Sequence, residues 1–130
     1  MPDQGNSFGR LLGHLRERRG LSLRELGMIS GVDHAYIHRL ETGEKESPSK
    51  EIVERLVRHL KPEDREAAVL RILSEVDAPQ DLVDLVLSEE FIDLRDFQSA
   101  AQMNYRGKAR PKWSEVIGHI RTARKAIERG

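Results

Sequence analysis

The stretch Leu21 to Gly43, LSLRELGMISGVDHAYIHRLETG, constrains the fold most, because it carries start and stop signals for two very short helices in immediate succession. Ser22 followed three residues on by Glu25 is a capping box, in which each side chain satisfies a backbone N–H that a helix start leaves without a partner. Leu21 and Leu26 flank it as a hydrophobic staple, and the spacing predicts a helix to about Ile29. Ser30-Gly31-Val32 then reads as a tight turn in which Gly31 takes positive φ without steric cost. Asp33 caps a second helix, Val32 with Ile37 repeats the staple, and Gly43 ends it. Helices this short are marginal alone and must be held by packing against neighbours.

Neighbours are available on both sides. Phe8, Leu11, Leu12 and Leu15 recur at helical spacing, with Ser7 as a cap and Gly20 as a stop. Downstream, Pro48 is placed to open a helix with the apolar stripe Ile52, Val53, Leu56, Val57 and Leu60. Pro62 is placed to open another, with Glu63 and Asp64 at its positive end and Ala67, Leu70 and Leu73 along one side. Asp77-Ala78-Pro79 is the clearest break. Beyond it come Leu82, Val83, Leu85 and Val86, then Phe91, Leu94 and Phe97, then a loop with Gly107 and Pro111. A last helix carries Trp113, Val116, Ile117, Ile120 and Ile127. No alternating strand pattern and no internal repeat competes. The expected class is all-α: a loose arm over 1–6, a five-helix domain over 7–76, and a small helical domain over 77–130.

Several function classes drop out. The chain has no cysteine, which removes disulfide scaffolds, thiolate metal sites and thiol catalysis. No apolar run approaches the roughly 18 residues of a membrane span, and MPDQGNSFGR lacks the basic-then-apolar order of a signal peptide. A cytoplasmic protein without membrane attachment is the expectation. Neither a nucleophile elbow, a P-loop nor a dinucleotide fingerprint is present, so no catalytic residue is assigned and no enzyme activity or cofactor is expected. His34 and His38 share a helix face, but H-A-Y-I-H lacks the zincin glutamate and a third ligand, so no metal is expected.

Two short helices joined by a glycine turn and flanked by packed helices make a helix-turn-helix. The order Leu21-Ser22, Glu25-Leu26, Gly31-Val32, Ile37, Leu40-Glu41, Gly43 and Pro48-Ser49 resembles the Xre/phage-repressor (lambda repressor-like) family over about residues 7 to 62. The resemblance implies that the second helix of the motif enters the DNA major groove, N-terminal end first. His34, Ala35 and Arg39 then fall at base-reading positions, Arg39 suited to a guanine and Ala35 to a thymine methyl. Tyr36, His38 and Thr42 fall beside phosphates, as does Ser22 at the start of the first helix of the motif. Arg16 and Glu41 match a family pair that ties helix one to the end of the recognition helix, a structural role. One departure is Leu23, where the family often has a glutamine that contacts phosphate.

DNA is a polyanion, yet this chain has 22 basic and 22 acidic residues. The neutrality is an average. Residues 1–60 hold ten basic and nine acidic groups, 61–100 four and eleven, 101–130 eight and two, so the blocks are +1, −7 and +6. The acidic middle and the basic tail either pair within one chain or pair between subunits. A nearly neutral reading domain binds weakly alone, so the expected form is a homodimer on a palindromic double-stranded operator, with half-sites roughly 34–36 Å apart. The tail must then supply the joint, with Phe91, Leu94, Phe97, Trp113 and Ile117 as anchors.

A second resemblance bears on that tail. DLVDLVLSEEF, followed by MNYRGKARPKWSEVIGHIRTARK, is similar to the C-terminal domain of DdrO-type repressors of the radiation and desiccation response. It implies a repressor cut by an ImmA/IrrE-type metallopeptidase beside Tyr105 and Arg106, although the link from Gly107 to Trp113 looks shorter than in that family. Alternatively, Arg106-Gly107-Lys108 is a solvated turn between helices. The competing functional reading is an antitoxin whose tail blocks a toxin partner and whose DNA binding serves autoregulation.

Overall fold

The computed structural model describes residues 6–45, 47–103 and 112–129. Those residues form eight α-helices and no strand: α1 (Ser7–Arg18), α2 (Leu23–Ser30), α3 (His34–Thr42), α4 (Lys50–Leu60), α5 (Asp64–Leu73), α6 (Gln80–Ser88), α7 (Leu94–Gln102) and α8 (Trp113–Arg129). The chain divides into two compact units, Met1–Asp77 and Ala78–Gly130.

In the first unit the expected stripes are the core. Leu12, Leu15, Leu26, Ile37, Leu40, Leu56 and Leu60 are fully buried, with Phe8, Leu11, Val32 and Val53 nearly so. Burial of each such side chain contributes about 1.5–3 kcal/mol relative to exposure, offsetting the entropy of ordering short helices. Helix α1 packs against α3 and α5, and α2 packs against α3 and α4. Two ion pairs brace the frame. Arg18 donates to both oxygens of Glu66, at 2.8 and 2.7 Å, and Arg71 donates to both oxygens of Glu54, at 2.7 and 3.0 Å.

The helix starts differ from expectation by one or two residues at three places. Asn6 rather than Ser7 caps α1, its Oδ1 accepting from Gly9 N at 2.8 Å. Asparagine is at least as good a cap as serine, and the earlier start leaves Ser7 buried as the first helical residue. Neither proline occupies a first helical position. Ser49 caps α4 through Ile52 N at 3.2 Å, and Glu63 begins α5 in a capping box with Glu66. Pro48 and Pro62 each sit one residue before the cap, because the residue after each can satisfy free N–H groups and proline cannot. The residues before them, Ser47 and Lys61, have φ of 54° and 51°.

The second unit packs α6 on α7 and both on α8. Its buried residues include Leu82, Val83, Val86, Ile92, Phe97, Ala100, Trp113 and Ile117. Asp96 is fully buried, and Arg124 answers it, Nε donating to Oδ1 at 2.7 Å and Nη2 to Oδ2 at 3.2 Å. Asp93 caps α7 through Arg95 N at 2.8 Å and also lies 3.8 Å from Arg124, while Arg95 reaches Glu128 at 3.2 Å. Of the two pairings left open by the sequence, acidic middle with basic tail within one chain is therefore present, at Asp93, Asp96 and Arg124.

Candidate nucleic-acid interface

The recognition helix α3 is fixed by how closely its neighbours approach. On α1, a Cβ placed on Gly9 would lie 2.4 Å from Leu40 O and 2.6 Å from Glu41 O. One turn on, a Cβ on Gly13 would lie 3.2 Å from Glu41 Oε1. Arg16 follows on the same face, with Nε donating to Glu41 Oε2 at 2.6 Å and Nη2 to Oε1 at 3.0 Å. Its Nη1 also donates to Leu21 O at 2.8 Å, so one guanidinium ties α1, the start of the motif and the end of α3 together. Both partners are only 14% and 13% exposed. The Glu41 hydrogen bond raises the Arg16 pKa further above its ordinary value, so the guanidinium stays charged.

The other end of α3 is held by α2 and the turn. The capping box is formed as expected, Glu25 N donating to Ser22 Oγ at 3.0 Å and Ser22 N to Glu25 Oε1 at 2.8 Å. Gly31 has φ of 73°, and Ser30 Oγ bridges Leu26 O and Val32 N across the turn. Asp33 caps α3 through Tyr36 N at 3.3 Å. Gly27 lets α2 come down on the turn, since a Cβ there would meet Val32 O at 3.0 Å and the His34 Cβ at 3.1 Å.

That clamp leaves one side of α3 outward. His34, Ala35 and His38 are exposed, and Tyr36, Arg39 and Thr42 are half-buried. Arg39 Nε is buried with no hydrogen-bond partner. Ser22 Oγ accepts within its capping box, so its own O–H remains able to donate to a phosphate. Thr42 differs: its Oγ1 donates to Arg39 O at 3.2 Å and accepts from Glu44 N at 3.4 Å, so a phosphate contact there requires breaking a bond inside the α3 terminus.

Sequence reasoning passed over Arg24. It is exposed on α2 and lines a shallow depression with Gly27, Met28, Gly31, Val32, Asp33 and His34, at the mouth of the motif. Position in the capped first turn of α2, beside the turn leading to α3, was the available signal. Gly9, Gly13 and Gly27 were also passed over. Glycine inside a helix costs stability unless something approaches closely, and all three stand in otherwise regular helical patterns.

The tail residues sort unequally. Phe97, Trp113 and Ile117 are buried and Leu94 is half-buried, whereas Phe91 is 73% exposed. Of the five expected dimer anchors, three are therefore core residues of a single chain, because α7 and α8 pack on each other; Phe91 presents its ring to solvent. Tyr105 and Arg106, the expected cleavage position, lie outside the described residues. Among the described residues no three His, Asp or Glu side chains gather as a metal site, and no helix is long and apolar enough to cross a membrane.

A recognition helix clamped at both ends, capped at its N-terminus and presenting polar side chains outward, defines a helix-turn-helix domain of the DNA-binding class. Residues 7–70 match the family described as a helix-turn-helix domain. No curated protein matches the chain.

Proposed function

We propose that this chain is a sequence-specific transcriptional repressor, without enzyme activity of its own, that acts as a homodimer on a palindromic operator. The observation that carries the reading is α3 itself, clamped by Arg16–Glu41 and the close approach of Gly9 while His34, Ala35 and His38 stay exposed and Arg39 half-buried on its outward side. His34 and Ala35 read bases beside Arg39, while Ser22, Arg24, Tyr36 and His38 contact phosphates. Selection of a binding sequence from random duplexes, followed by Arg39→Ala, tests this. The variant loses about 1–3 kcal/mol with relaxed preference at one base position, and unchanged affinity and preference refute the assignment.

Dimerisation explains how a nearly neutral domain reaches useful affinity, since joining two raises the effective concentration for the second half-site. Resemblance of the tail to cleavable repressors suggests the switch, a metallopeptidase cut before Trp113. What supports it physically is the content of α8. Losing that helix removes Trp113 and Ile117 from the core and takes Arg124 from the buried Asp96. A chain ending at Tyr105 is therefore expected to keep a folded first unit and to sediment as a monomer with weakened operator binding. An equally dimeric, equally tight truncated chain refutes the switch.

A further inference from the structure

Helix α8 has one side committed and one side free. On the committed side, Trp113 and Ile117 are buried and Arg124 faces Asp96, Asp93 and Glu128. On the free side, Arg121, Lys125 and Arg129 recur at four-residue spacing, all exposed and without an ion-pair partner among the described residues. The carboxylate that closes α8, Glu128, is drawn away by Arg124 at 3.3 Å and by Arg95 at 3.2 Å. Glu115, in the first turn, is the other acid of this helix and lies more than a turn before Arg121. The small residues Ser114, Gly118, Thr122 and Ala126 form the neighbouring four-residue row, and nothing stands within 4 Å of a Cβ built on Gly118. Thr122 Oγ1 is folded back onto Gly118 O at 3.0 Å, which keeps the face low.

We infer that this face of α8 is a second, sequence-independent contact to the DNA phosphate backbone, an inference that rests on the DNA-binding reading of the first unit. Charge selects the partner. A second copy docked symmetrically would bring the same cations together, and like charges repel. Docked instead on α6 of another chain, the three cations would meet only two acids, Asp81 and Asp84, which already accept from Leu82 N and Gln80. An anionic membrane needs large apolar residues beside the cations, and this face has none. A polyanion needs only spaced cations and close approach. Arg121 to Arg129 spans about 12 Å of helix, and DNA presents a phosphate about every 3.4 Å of axis on each strand. The stripe therefore meets up to three phosphates without base contacts.

The test measures full-chain affinity for a fluorescent duplex of arbitrary sequence over a salt series, for wild type and for Arg121→Gln/Lys125→Gln/Arg129→Gln. Each lost phosphate contact lowers the slope of log affinity against log salt by about 0.9, so the expected slope falls by about 2–3 per chain while thermal unfolding is unchanged. The charge-retaining Arg121→Lys/Arg129→Lys chain keeps the wild-type slope, which also guards against a folding defect in the first variant. An unchanged slope in the glutamine variant overturns the inference. So does glutamine-sensitive binding to anionic lipid vesicles with the DNA slope intact. The His34→Ala/Arg39→Ala chain separates the two readings: if it binds its selected site like wild type while the glutamine variant loses slope, the first-unit assignment fails and the α8 contact stands.

Discussion

Gly9→Ala is the sharpest test of how the recognition helix is held. An alanine inside a helix normally stabilises it by about 0.8–1.0 kcal/mol over glycine. At Gly9 the added carbon would lie 2.4 Å from Leu40 O and 2.6 Å from Glu41 O, both backbone atoms that cannot rotate away. An ordinary C···O approach is about 3.3–3.6 Å, so the end of α3 must retreat by roughly 1 Å. Overpacking costs about 1–3 kcal/mol, and against two backbone oxygens the upper part of that range, about 2–3 kcal/mol, applies, which exceeds the propensity gain and leaves a net loss of about 1–2 kcal/mol. For a unit of this size that lowers Tm by about 5–10 °C. Gly118 supplies the control. It lies in α8 with open space around it, so Gly118→Ala raises stability by about 0.5–1 kcal/mol. The single tryptophan, Trp113, reports the second unit by fluorescence, and hydrogen exchange at the amides of α1 and α3 reports the first. Opposite signs for the two substitutions are expected. A Gly9→Ala chain as stable as wild type, with unchanged DNA affinity, refutes the close-approach argument.

Arg16→Ala and Glu41→Ala each destabilise the first unit by about 2 kcal/mol, and a double-mutant cycle from urea unfolding returns a coupling of about 1–3 kcal/mol; additive losses would show the pair to be incidental. Lys61→Gly relieves a left-handed residue at the end of α4 and raises stability by about 0.5–1 kcal/mol, and a lower urea midpoint contradicts it. The carboxyls of Glu54, Glu66 and Asp93 are all held below their ordinary range, chiefly by hydrogen bonds from Arg71, Arg18 and Arg95 respectively. A depressed folded pKa contributes stability that is complete above the unfolded value and is lost as pH falls through the folded one. The urea midpoint therefore declines below about pH 4, and declines less in Glu54→Gln/Glu66→Gln; an identical acid profile in that variant rules these pairs out as the cause.

Local signals along the first unit were legible because they act over three or four residues. Ser22 with Glu25, Gly31 in the turn and Asp33 before α3 each satisfy or permit backbone geometry in their own neighbourhood. The apolar stripes of α1, α4 and α5 were legible for the same reason, as period fixes face. Offsets at Asn6, Pro48 and Pro62 arose where two adjacent residues compete for one cap, which composition alone does not rank. Gly9 and Gly13 were not legible, because their role depends on Leu40 and Glu41, far along the chain. The second unit was harder again. Asp96 looks like one more acid in an acidic block, and only its burial against Arg124 separates it from the exposed Glu90. The apolar residues Phe97, Trp113 and Ile117 were equally consistent with a core and with an interface. They became core residues once α7 and α8 were seen to pack on each other.

The neutral charge of a chain that carries a helix-turn-helix domain has a physical resolution in the way its acids are used. Glu41, Glu54, Glu66, Asp93, Asp96 and Glu128 are each engaged by an arginine. Those pairs join α1 to α3, α1 to α5, α4 to α5 and α7 to α8. Their charges cancel locally and present little field to a distant polyanion. Arg24 and Arg39 on the helix-turn-helix, and Arg121, Lys125 and Arg129 on α8, have no such partners among the described residues. Pairing cancels most strongly at short range, where two opposite charges lie within a few ångströms, whereas unpaired cations act out to the Debye length, about 10 Å at 0.1 M salt. A chain can therefore be neutral in sum and still present unpaired cations to a polyanion. It follows that substituting a paired acid such as Glu54 should barely change the salt dependence of DNA binding, while substituting an unpaired cation should change it by nearly a full unit of slope.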